Sequence, residues 1–167
     1  MKVEYINPFI ESVYDLFTTM LSSKAQRGNV GVSRGASNPR EIMALIGLSG
    51  PARGTVAISF PTETAVAIVN RLLGTDTKVI DDTVSDAIAE IVNIVAGGAK
   101  AKLKIGEGST IDLSLPTVVR GDSYDIDYPS NSVWLEVPFD SDLGPFSMRV
   151  TFEMDRAAGA AGKGGSA

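Results

Sequence analysis

The chain contains no cysteine and no histidine. Without cysteine there is no disulfide, no thiol nucleophile and no thiolate zinc site. Without histidine, Ser-His-Asp catalysis and imidazole metal sites are excluded as well. Whatever chemistry the protein performs must use carboxylates, amides, hydroxyls or lysines, or groups borrowed from a partner. No apolar run approaches the ~20 residues needed to span a bilayer. The amino terminus lacks a basic segment leading into an apolar core. A cytoplasmic location without membrane attachment is therefore expected. The fifteen Lys and Arg are scattered among twenty Asp and Glu, for a net charge of −5. With no basic patch, nucleic acid is not an expected partner.

What is present points to a folded domain. The 167 residues are 44% apolar, enough for one sizeable core. One domain is expected over residues 1–155, followed by a small-residue tail, 156–167, that should be disordered. The start, Met1 to Tyr5, is expected to be extended. Asn7 then reads as an N-cap with Pro8 at the first helical position. Phe9, Val13, Leu16, Phe17 and Met20 form the buried stripe of a helix to about Ser22. Residues 23–40 hold a weak strand around Val30 and Val32. Ile42 to Leu48 and Gly54 to Phe60 flank Ser49-Gly50-Pro51-Ala52 as a β-hairpin. Ala65, Ile68, Val69 and Leu72 mark a second helix, which starts at Pro61-Thr62 and is stopped by Gly74.

Three strands are expected near the C-terminus. They are carried by Ile111, Leu113 and Leu115, by Val133, Leu135 and Val137, and by Phe146, Met148, Val150 and Phe152. Pro138 to Pro145 reads as a turn between the last two. Gly106-Glu107-Gly108 is expected as a loop that lacks the spacing of a phosphate-binding P-loop, and Gly121 to Asn131 as an acidic loop. The fold class is α/β (α+β), with helices packed on a mostly antiparallel mixed sheet.

The richest stretch runs from Asp82 to Gly98. Val84, Ile88, Ile91 and Val95, with Val92 beside them, make the buried stripe of an amphipathic helix. At about 100° per residue, Asp86, Glu90, Asn93 and Gly97 share the opposite face, with Lys100 close to the same line. Asn93 cannot act as a base, but its carboxamide can hold a water in line for attack. Glu90 can hold a lysine of a partner by a charge-assisted bond. Gly97, lacking a side chain, lets another protein approach closely. An ordinary solvated helix face is the plainer alternative from residue types alone. Asp81 and Asp82 suit the positive helix terminus. Capping explains these acids more simply than a Mg²⁺ site made with Asp86.

The spaced pattern Asp86-x3-Glu90-x2-Asn93-x22-Pro116 resembles the signature of the CheC/CheX/FliY phosphatases of bacterial chemotaxis. Glu90-Ile91-Val92-Asn93-Ile94-Val95-Ala96-Gly97-Gly98 and the opening Tyr5-Ile6-Asn7-Pro8-Phe9-Ile10 resemble the CheX form. The resemblance implies a CheC/CheX-like fold that pairs as a homodimer through sheet edges. It further implies hydrolysis of the aspartyl phosphate on a response-regulator receiver domain. Asn93 would orient the attacking water and Glu90 would bind the receiver's lysine. Asp86 and Pro116 would support the helix. Mg²⁺ would be held by the receiver, leaving this chain without a cofactor of its own. CheC-type relatives can carry a second Glu/Asn pair on the first helix. Glu11 is followed there by Tyr14, so a single site is expected. The alternative is a CheX-like module that docks a receiver domain or flagellar component without catalysis.

Overall fold

The computed structural model describes residues 3–33, 41–103, 110–121 and 133–154. Its helices are α1 (Asn7–Met20), α2 (Thr62–Leu73) and α3 (Asp82–Lys102). Its strands are β1 (Ala25–Arg27), β2 (Gly31–Ser33), β3 (Ile42–Ser49), β4 (Ala52–Phe60), β5 (Asp112–Leu113), β6 (Thr117–Arg120), β7 (Trp134–Ser141) and β8 (Phe146–Met154). They form one sheet in the order β1-β7-β8-β4-β3-β5, with β2 also on β7 and β6 also on β3. Every strand pairing among the described residues is antiparallel. The expected class of helices on a largely antiparallel sheet holds.

Alternation places the core on one face of the sheet. Ile42, Ala44, Ile46 and Leu48 of β3 line up with Val56, Ile58 and Phe60 of β4 and with Met148, Val150 and Phe152 of β8. Against them pack Phe9, Val13, Leu16 and Phe17 of α1, Ala65, Ile68 and Val69 of α2, and the Val84–Val95 stripe of α3. Phe146 ties the layers together. It stacks on Phe17 of α1 with ring centres 5.2 Å apart and on Phe139 of β7 at 5.0 Å. Offset or edge-on aromatic pairs of this kind add about 0.5–1.5 kcal/mol beyond burial.

Several expectations need correction. Val3–Ile6 is a turn of 3-10 helix rather than extended chain. It runs directly into α1, so Ile6 takes the capping position in a helical conformation and the Asn7 side chain caps nothing. Met20 is exposed, and Leu21 fills the core in its place. The weak strand is two short ones, both pairing with β7. Pro138 to Ser141 belong to β7, and the turn shrinks to the residues just before Phe146. Burial of Phe139 against Phe146 outweighs the turn signal of proline, whose carbonyl still accepts from Gly28 N–H at 2.7 Å. The strand expected around Ile111 to Leu115 is reduced to two residues, and β6 was not foreseen. Val133 is exposed rather than inward, while Trp134 and Arg149, on the face away from the helices, are buried. Arg149 is satisfied there by Glu136 at 3.0 Å. The expected loops at 106–108 and 122–131 and the tail from 156 lie outside the described residues.

Candidate functional site

The site is built on α3, and the reasons for this helix are local. Asp81 caps it, its carboxylate accepting from Val84 N–H at 2.9 Å, and the chain leaves at Leu103 in an extended conformation. Val84, Ile88, Ile91, Val92 and Val95 are buried against the sheet and the other helices. Spending that stripe on the core fixes the rotation of the helix, so the opposite face must point outward. Glu90 is exposed and Asn93 is partly exposed. Glu90 and Asn93 stand one turn apart, about 4.5 Å along the axis.

The outward face continues in both directions. Asp86 lies one turn before Glu90 and is exposed; Gly97 lies one turn after Asn93, with Lys100 beyond it. Asp86, Glu90, Asn93 and Gly97 therefore form one contiguous ladder. Among the described residues, neither the Glu90 nor the Asn93 side chain makes a hydrogen bond or ion pair. That leaves a carboxylate acceptor and a carboxamide, both donor and acceptor, directed at solvent.

Pro116 comes from another part of the chain. It immediately precedes β6, whose residues Thr117 and Arg120 pair with Leu45 and Ile42 of β3. Arg120 reaches the start of α3, with its guanidinium 3.6 Å from the Asp82 carboxylate and 3.5 Å from the Ile80 carbonyl. The strand that Pro116 leads into is thus in contact with α3. Ser114 holds this connection to β3: its hydroxyl accepts from Gly47 N–H at 2.8 Å and its N–H donates to the Gly47 carbonyl at 2.9 Å.

Sequence reasoning did not find the contacts that hold α3 in place. Lys102 pairs with Asp15 of α1 at 3.0 Å. Gly98 allows α1 and α3 to meet, since a Cβ there would come within 2.7 Å of Ser12 Oγ. Arg120 and Ser114 act through the register of β6, and no local pattern signals that. On α1, Glu11 is exposed, whereas Tyr14 turns edge-on to Phe139 with ring centres 6.2 Å apart. No carboxamide occupies the position that would complete a second pair there.

The family model described as "Chemotaxis phosphatase CheX" matches residues 42–140, a span that contains α3 and Pro116. The CheY-P phosphatase CheX of Thermotoga maritima is 30% identical over 139 residues, covering 83% of this chain and 88% of its own. A CheC-like superfamily protein from Shewanella sp. PV-4 superposes with a TM-score of 0.82 at 31% identity, covering 92% of this chain and 99% of that one. The same fold occurs in a chain of the CheX–CheY–BeF3–Mg²⁺ complex from Borrelia burgdorferi, at TM-score 0.76 and 23% identity, covering 91% of this chain and 99% of that one. No helix among the described residues is long and apolar enough to cross a membrane. By its matching span, its curated relative and the architecture that carries its Glu/Asn helix, the chain belongs to the CheX family of chemotaxis phosphatases.

Proposed function

We propose that this protein hydrolyses the aspartyl phosphate of a CheY-like response-regulator receiver domain. The observation that carries this reading is the pair Glu90 and Asn93, side by side on the outward face of α3 and without a side-chain partner among the described residues. In the reaction, a water oxygen attacks phosphorus and the bond to the aspartyl oxygen breaks. The products are inorganic phosphate and a free receiver carboxylate. Asn93 holds that water through its carboxamide, in line with the bond that breaks. Glu90 binds the receiver's lysine, which fixes the distance between α3 and the acyl phosphate. Phosphoryl transfer needs positioning and charge stabilisation more than covalent help, so a site without a nucleophile or a base suffices.

Asp86 and Pro116 support the helix rather than react. Gly97 keeps the face low where the receiver approaches. The divalent cation of the reaction belongs to the receiver, where it neutralises phosphoryl charge, and no residue of this chain is assigned to it. The protein works in the cytoplasm. It pairs as a homodimer through a sheet edge, which also covers main-chain groups that an open edge leaves exposed.

The test is the decay of phosphoryl label on receiver domains, with and without the protein, under conditions in which binding is also measured. Faster decay supports the reading. Binding that leaves the phosphoryl lifetime unchanged would instead identify a docking module, and the Glu90–Asn93 face would then serve recognition alone.

A further inference from the structure

Two glycines stand side by side on α3, and the structure accounts for only one of them. A Cβ at Gly98 would collide with Ser12, so the contact with α1 demands glycine there. A Cβ at Gly97 would meet no atom of the described residues within 4 Å. Packing among the described residues gives no reason for glycine at 97, although glycine inside a helix is less favourable than alanine. The last two lysines divide in the same way. Lys102 is paired with Asp15. Lys100, half-buried, has no ion pair among the described residues. Both lysines complement the helix C-terminus, but that effect asks nothing of residue 97.

Helical side chains lean toward the N-terminus of their helix. Lys100 stands one turn beyond Gly97 on the same face, and no side chain of the described residues comes within 4 Å of where a Gly97 Cβ would sit. Asn93 lies about 10.5 Å further down the axis. We propose that Gly97 and Lys100 extend the receiver-binding site toward the C-terminal end of α3. The receiver's main chain passes over Gly97, and the Lys100 ammonium meets a carboxylate on the rim of the phosphorylation site. The inference rests on the phosphatase reading above and adds Lys100 to it, with the receiver's main chain as what Gly97 admits.

Charge complementarity selects the occupant. A site that holds Mg²⁺ beside an aspartyl phosphate is necessarily rimmed by carboxylates. Glu90 takes the lysine of such a site, and Lys100, about 15 Å along the axis, takes an acid. Opposite charges at the two ends of the stripe fix the direction in which the receiver lies across α3. Turned end for end, each would face its own sign.

The experiment measures initial rates of dephosphorylation against phospho-receiver concentration for wild type, Lys100→Ala, Lys102→Ala and Gly97→Ala. Each is run at low and physiological salt, beside thermal unfolding. Lys100→Ala should raise KM about fivefold with kcat near wild type, as expected for a partly exposed charge pair, and the effect should shrink with salt. Lys102→Ala should leave KM unchanged. Gly97→Ala should raise the thermal midpoint by about 2–4 °C and yet raise KM. A protein made more stable and less able to bind cannot be explained by a structural role for that glycine. If wild type is active and Lys100→Ala or Gly97→Ala keeps its KM, the extension is overturned while the phosphatase reading stands. If wild type does not accelerate decay on receivers that it binds, both fall together.

Discussion

Replacing Asn93 by alanine separates chemistry from folding more cleanly than any other change in this protein. The side chain is partly exposed, midway along α3, and holds no hydrogen bond among the described residues. Its removal therefore takes away nothing that the fold uses. Alanine is the better helix former by up to about 0.7 kcal/mol. At about 2–4 °C per kcal/mol for a domain of this size, the thermal midpoint should stay level or rise by up to about 3 °C. The reaction should respond in the opposite direction. Losing one preorganised hydrogen-bonding group beside a reacting centre typically costs about 10²–10³ in rate, or about 2.7–4 kcal/mol of barrier.

The assay follows phosphoryl label on a receiver charged with a small phosphodonor and freed of excess donor. Protein is added in excess, so that the decay reports the bound complex directly. Asn93→Ala should return this decay close to the receiver's own rate while binding persists. Glu90→Ala should act mainly on KM, because its carboxylate is assigned to holding the partner. Wild-type decay with Asn93→Ala would refute the water-positioning role. A loss of activity accompanied by a fall of several degrees in the midpoint would refute the premise that Asn93 is unspent.

Three further outcomes test the framework around the site. Gly98→Ala should destabilise the domain by about 1–3 kcal/mol through overpacking against Ser12; urea unfolding should show part of this recovered in Gly98→Ala/Ser12→Ala, which removes the nearest atom. Glu41 accepts from Thr62 N–H at 2.6 Å at the start of α2, and hydrogen bonds from the Thr62 hydroxyl and main chain hold its carboxyl below the ordinary glutamate value of 4.5. A depressed folded value means that the stabilisation is complete above 4.5 and disappears as pH falls through the folded value. The advantage of wild type over Glu41→Gln in thermal midpoint should accordingly be constant near pH 7 and vanish in strong acid. Glu136→Ala should cost about 2 kcal/mol in urea unfolding, because it strands the buried Arg149 guanidinium; Arg149→Met should cost less, since it leaves only a half-exposed carboxylate behind.

Much of the fold was legible because its determinants are local. The 3.6-residue stripe of α3, its Asp81 cap and the Gly74 stop of α2 each lie within one helix and its flanks. The β3–β4 hairpin announced itself by two apolar runs around Gly50-Pro51. What escaped depends on contacts between distant residues. β6 is four residues long and only partly buried, and it becomes a strand by pairing with Ile42 to Leu45. Pro138 resembles a turn residue until Phe139, its neighbour, is seen stacked on Phe146. Glu41 serves as the cap of a helix that begins 21 residues later.

The same division runs through the site itself. That Glu90 and Asn93 share a face follows from helical geometry and could be read directly from their spacing. That the face is free for a partner does not follow, because an identical spacing could have been consumed by a neighbouring strand or helix. Only the packing shows the Val84–Val95 stripe held against the core and the opposite side left outward. Gly97 and Gly98 make the point most sharply. In the sequence they are one dipeptide, equally permissive; in the fold one faces Ser12 and the other, among the described residues, faces nothing within 4 Å. For a glycine that weakens a helix without relieving any contact among the described residues, the approach of a partner's main chain is the proposed reason. On α3 that residue sits one turn from the carboxamide proposed to carry the reaction.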